Sequence, residues 1–235
     1  MFNTKPREGE ALQRLQPSYE SRRKFLTKAG SATLLSAVVL GACSKNDNGP
    51  SSTGGAANVS LGSGDTGILN YAYALEQLEA AFYIQVIATP YSGMSSAELS
   101  LLTDIRDHEI AHREFFKTAL AAKAIAGLDV NFSSINFSSR DSVLATAKAF
   151  EDLGVSAYNG AGHLISNSDY LVLAGKIVSV EARHAAAIRD MISYGSFADT
   201  VVDSQGLEIS KSPAQVLVTA STFINTKIDA SQLPS

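Results

Sequence analysis

Glu109-Ile-Ala-His112 and Glu181-Ala-Arg-His184 share one spacing, a glutamate followed three residues later by a histidine, in a chain with only four histidines. On a helix, residues three apart lie on one face, so each pair can offer a carboxylate and an imidazole to a common centre. One such pair is commonplace; two, each in the middle of a helical stretch, are not. Two further glutamates complete a pattern: Glu76 in ALEQLEAAFY and Glu151 in AFEDLGVSAY. Each is followed seven residues on by a tyrosine, Tyr83 or Tyr158, which two helical turns bring to nearly the same face. The order is Glu, Glu-x-x-His, Glu, Glu-x-x-His. The second half repeats the first at an offset of 72 residues for the Glu-x-x-His pairs and 75 for the leading glutamates, so the domain reads as a duplicated hairpin.

Burying four carboxylates together without compensation is prohibitive, and six groups that mostly accept hydrogen bonds cannot satisfy one another. Two divalent cations would supply about four positive charges and neutralise the carboxylates. Carboxylate oxygen with imidazole nitrogen suits a pair of iron or manganese ions. Two glutamates can bridge the metals while two cap them. Each histidine takes one metal, which leaves positions open for dioxygen or hydrogen peroxide. Glu79, one turn from Glu76, could replace it, but the spacing to tyrosine favours Glu76. His108 points roughly 100° away from Glu109 and reads as a surface residue or one behind the ligands. His163, near a helix end among glycines, reads as exposed, and Phe115-Phe116 as bundle core and not a substrate pocket.

The elements that would carry these residues are helices. Ile68, Tyr71, Leu75, Leu78, Phe82 and Val86 recur at three- and four-residue steps, a helical period that Thr89-Pro90 interrupts. Ser95 and Glu98 form a capping-box pattern that opens a second helix, expected to run to Ala126 and stop at Gly127. Residues 127–138 alternate without helical period and read as an extended connection. A third helix is expected from Asp141 to Leu164 and a fourth to Tyr194. A last short helix opens at Ser212-Pro213, with proline at its first position. The fold class is all-α: a four-helix bundle with a long middle crossover and a short C-terminal helix.

The N-terminal part reads differently. SRRKFL at 21–26 precedes an apolar run, 29–42, that ends in LGAC at Cys43, the only cysteine. That run is shorter than the roughly 20 residues a membrane-spanning helix needs and has the size of a secretory h-region. The paired arginines look like a twin-arginine address, and LGAC resembles a lipobox in which Cys43 carries the lipid. A single cysteine excludes an internal disulfide and a cysteine-rich metal site. Residues 44–65 are rich in Gly, Ser and Asn and read as a flexible tether with a reach of roughly 25–30 Å. The globular domain is then 66–235, with the bundle at 66–195 and an extension at 196–235. A net charge of −4 gives no support for nucleic-acid binding.

With these motifs placed, the chain resembles the ferritin-like superfamily: bacterioferritin, rubrerythrin and manganese catalase. EIAHREFFK is similar to the second-helix motif of rubrerythrins, and LEQLEAAFY to the first-helix motif of ferritin-like families that include plant desiccation-related proteins. The resemblance covers about 66–195. It implies that Glu76 and Glu151 are terminal carboxylates, Glu109 and Glu181 bridging ones, His112 and His184 imidazole ligands, and Tyr83 and Tyr158 hydrogen-bond partners of carboxylates. The chain departs from rubrerythrins in having no cysteine pair for a rubredoxin module, and a membrane-tethered domain is a poor subunit for a storage cage. The expected function is Fe(II) oxidation by dioxygen or peroxide. The alternatives are peroxide dismutation like that of manganese catalases, or metal-binding stress protection without turnover. The expected location is the bacterial cell envelope, anchored by lipid, with a homodimer as an open option.

Overall fold

The computed structural model describes residues 58–235; the expected export signal, Cys43 and the stretch 44–57 lie outside the described residues. Four long helices form the body: α1 (Gly64–Ala88), α2 (Ser96–Leu120), α3 (Arg140–Ala161) and α4 (Ser168–Ile192). A short α5 (Pro213–Ala220) and two three-residue strands, β1 (Asn58–Ser60) and β2 (Lys227–Asp229), complete the domain. α1 packs against α2 and α3 against α4, and the two hairpins meet mainly through α1 and α3. This is the all-α four-helix bundle with a long middle crossover that the residue pattern predicts.

The two hairpins use their helices differently. α2 buries Leu102, Ile105, Glu109, Phe116 and Leu120, and α4 buries Ile177, Glu181, His184, Ala185, Ile188 and Arg189. Each set is one stripe at helical spacing; Glu109, Glu181 and His184 lie within it, and His112 is only partly buried. α1 buries 16 of its 25 residues, on every side, which marks it as a central helix; α3 is similar. Helix ends are held by side chains. Ser95 and Glu98 form the predicted capping box on α2, and Ser212 with Gln215 another on α5. Asp65 accepts from the backbone N–H groups of Ser166 and Asn167 at the start of α4, at 2.7 and 2.9 Å.

Two boundaries differ clearly from expectation. α2 ends at Leu120, not Ala126, because Ala121 turns to φ 50°. The buried Asn70 then captures the chain beyond: its amide donates to the Lys123 carbonyl at 3.0 Å and accepts from Ile125 N–H at 3.0 Å. Residues 58–65, expected as the end of a flexible tether, are β1 and the start of α1. β1 pairs in parallel with β2, Asn58 opposite Lys227, and Leu61 is fully buried; the domain therefore begins at least eight residues earlier than 66. The extension after α4 is a belt around α3. Lys211 N–H donates to the Ser156 carbonyl at 3.0 Å, Val216 and Ala220 sit in the core, and Phe223 meets Phe150 edge to face at 4.9 Å.

The belt touches α3 where there is no side chain: a Cβ on Gly160 would lie 1.8 Å from the Lys211 carbonyl oxygen. Gly160→Ala should therefore cost roughly 1–3 kcal/mol and expose the Lys211–Ser212 bond. A thermal melt and limited tryptic digestion check both. An unchanged melt with no early cleavage at Lys211 would show that this contact does not hold the belt.

Candidate metal centre

Midway along the bundle, α1 contributes Glu76, α2 Glu109 and His112, α3 Glu151, and α4 Glu181 and His184. The four glutamates have no exposed surface, and His184 is 4% exposed. They fall into two overlapping sets whose ligand atoms lie within 4.8 Å of one another: Glu76, Glu109, His112 and Glu181, and Glu109, Glu151, Glu181 and His184. Glu109 and Glu181 belong to both. Each histidine reaches across the bundle. His112 Nδ1 is 2.9 Å from Glu181 Oε1 and 3.5 Å from Glu76 Oε2, while His184 Nδ1 is 2.9 Å from Glu109 Oε1 and 3.4 Å from Glu151 Oε2.

These close approaches are not hydrogen bonds. Among the described residues, 11 buried side-chain polar atoms lack a hydrogen-bond partner, and eight of them belong to these six residues. They are Glu76 Oε2, Glu151 Oε2, both oxygens of Glu109 and Glu181, and Nδ1 of both histidines. Buried polar atoms are otherwise almost always paired. Eight orphans converging from four helices, all oxygen or imidazole nitrogen, fit a pair of divalent cations.

Two tyrosines hold the outer carboxylates. Tyr83 on α1 donates its hydroxyl proton to Glu151 Oε1 on α3 at 2.5 Å, and Tyr158 on α3 donates to Glu76 Oε1 on α1. The spacing places each tyrosine on the face of its own helix's glutamate, yet the bond is made to the other hairpin's glutamate. In both glutamates the tyrosine occupies Oε1, and Oε2 is the orphan facing the centre.

Proton affinities across the site depart far from their ordinary values. Burial pushes Glu181 well above the usual carboxylate range, helped by Glu109 and Glu76. Burial also raises Glu151, and Glu76 to about 7. Glu109 is buried too, but the adjacent His112 and His184 imidazoles outweigh that and draw it down to about 2. Burial disfavours charge on the histidines, yet the surrounding carboxylates raise His112 to about 12 and His184 to about 10.

The residues set aside by spacing also have definite places. Glu79 is not in either set, but it is a fifth buried carboxylate, at 4% exposure. Its space comes from Gly154, where a Cβ would lie 3.0 Å from Glu79 Oε1 and 3.5 Å from Glu181 Oε2. The signal was present in the repeat: Glu79 and Gly154 occupy equivalent positions, three residues after Glu76 and Glu151. His108 stands behind a candidate ligand, with Nδ1 2.9 Å from His184 Nε2; burial and the neighbouring His184 hold its pKa below the usual histidine value. His163 is exposed. Phe116 is buried core, but Phe115 is 37% exposed, and both line an apolar pocket with Tyr71 and Tyr158, so the pair is not simply core.

A family model described as a ferritin-like domain matches residues 64–194. A search of curated proteins finds no significant match. The matched span begins at the first residue of α1, ends just past α4 and contains all six converging residues and both tyrosines.

Filling the site with metal must expel the protons held by His112 and His184, since metal needs neutral imidazole. Both histidines carry their protons at pH 7, so loading with Zn(II) should release about two or more protons per chain. Apparent affinity should fall as pH is lowered. An indicator-dye titration in weak buffer measures the release; loading without proton release would mean that the imidazoles do not hold the metal.

Proposed function

The chain belongs to the ferritin-like domain family, and from that membership we propose that it is a dimetal carboxylate protein that oxidises Fe(II) with dioxygen or hydrogen peroxide. The observation that carries this reading is the set of eight orphaned oxygen and nitrogen atoms. A bound pair of iron ions, or manganese in their place, would supply the redox electrons and open coordination positions. The protein's own contribution follows from its geometry. Glu109 and Glu181, common to both sets, would bridge. Glu76 with His112, and Glu151 with His184, would hold one ion each. Tyr83 and Tyr158 restrict the terminal glutamates to one free oxygen apiece, which keeps coordination positions open. Helices packed on every side exclude bulk water, while the His112 side chain, 13% exposed, gives the centre an edge toward solvent.

The same reading places the domain in the cell envelope, held to a membrane by lipid on Cys43. Arg22-Arg23, the apolar run and LGAC support it. Among the described residues, no helix is long and apolar enough to cross a membrane.

Anaerobic Fe(II) titration with elemental analysis tests the centre. Wild type should bind about two ions per chain and Glu76→Ala between about one and two. Glu109→Ala should bind about one or fewer, because a bridging carboxylate serves both ions. Equal stoichiometry in all three would mean that Glu109 does not bridge and that this set does not hold a pair of ions. Stopped-flow absorbance on mixing the Fe(II)-loaded protein with dioxygen or peroxide then tests turnover. A loaded protein that responds to neither oxidant would be a metal-binding or stress-protective protein without catalysis.

A further inference from the structure

The two halves of the centre differ behind the histidines. His184 Nδ1 faces Glu109 and Glu151, while its other ring nitrogen, Nε2, lies 2.9 Å from His108 Nδ1. The two rings are within 9° of parallel, with centroids 5.2 Å apart. The nitrogen–nitrogen distance and the two ring radii account for that whole separation, so the rings lie edge to edge in nearly one plane and not face to face. This arrangement suits an N–H···N hydrogen bond. If Nδ1 of His184 takes a metal, its proton must sit on Nε2, and His108 Nδ1 is then the acceptor.

His112 has no such imidazole behind it. The repeat offset of 72 residues that carries His112 onto His184 carries His108 onto Val180. The chain thus contains its own comparison: at the repeat-equivalent position, one before each Glu-x-x-His pair, one half carries histidine and the other valine.

We propose that His108 is a positioning residue for one half of the centre, accepting the Nε2–H of His184 so that the ion held with Glu151 and His184 binds more tightly than the ion held with Glu76 and His112. The inference rests on the dimetal reading above. An acceptor behind a metal-binding imidazole fixes its tautomer and ring orientation and raises its basicity, and loss of such a partner typically weakens binding by 10–100-fold. His108 reaches the protein surface, so replacing it removes little packing.

The test is anaerobic titration of the full chain with Co(II), followed by calorimetry and visible absorption. Wild type should fill in two distinguishable steps. His108→Val, which copies the twin position, should weaken the tighter step by about 10–100-fold and leave the weaker one unchanged. His108→Gln, whose side-chain oxygen can accept the same proton, should recover part of the loss. His108→Leu repeats the valine test should a β-branched residue disturb α2. Equal weakening of both steps, no change in either, or no recovery with glutamine would overturn the inference while leaving two ions per chain intact. Wild type binding fewer than two Co(II) would instead overturn the dimetal reading itself.

Discussion

Four carboxylates with no exposed surface, set at one level of a narrow bundle, are the constraint on which the rest of this structure depends. Their charge cannot be left unbalanced in a low-dielectric interior, so the donors around them are few and specific. Two imidazoles come from the outer helices and two phenols from the central ones. The central helices must in turn be shielded on every side, because a carboxylate on α1 or α3 that met bulk water would be an ordinary surface charge. The middle connection and the C-terminal belt supply that cover. Phe82 on α1 meets Phe132 and Phe137 of the connection at 6.1 and 5.9 Å, and Phe150 on α3 meets Phe223 of the belt at 4.9 Å.

The repeat is also visible in how the hairpins fasten these coverings. Gln77 and Asp152 each follow a leading glutamate directly. Gln77 accepts the Leu128 N–H at 2.9 Å and so pins the connection. Asp152 receives Arg189 through two bonds of 2.9 and 2.7 Å, and Arg189 also donates to the Asp199 carbonyl, pinning the start of the belt. The same position serves the same mechanical end in each hairpin, by a neutral amide in one and an ion pair in the other.

The four long helices, their pairing into hairpins and the convergence of Glu76, Glu109, His112, Glu151, Glu181 and His184 were legible because helical period and repeat spacing are local properties of the chain. What escaped depended on distant partners. Nothing near Ala121 announces a stop; the helix ends there because Asn70, about 50 residues earlier, bonds the backbone beyond it. The strand at Asn58–Ser60 lies in a Gly- and Ser-rich stretch, and its partner is Lys227–Asp229, far outside any window of periodicity. The tyrosines were found by spacing, but their acceptors were not, since seven residues along one helix says nothing about which neighbouring helix the hydroxyl meets.

Gly154 beside Glu79 bears on a different question, how one hairpin recognises the other. The reciprocal bonds from Tyr83 to Glu151 and from Tyr158 to Glu76 are indifferent to identity: two copies of either hairpin, placed face to face, would offer the same phenols to the same carboxylates. Glu79 and Gly154 are not indifferent. Two α1–α2 hairpins would press a pair of buried carboxylates into the space that Gly154 leaves for one, and two α3–α4 hairpins would face glycine with glycine across a void. Only the unlike pair fits a large acidic side chain against bare backbone. A duplicated sequence thereby acquires a polarity: one hairpin carries the acid and its sibling the space that receives it.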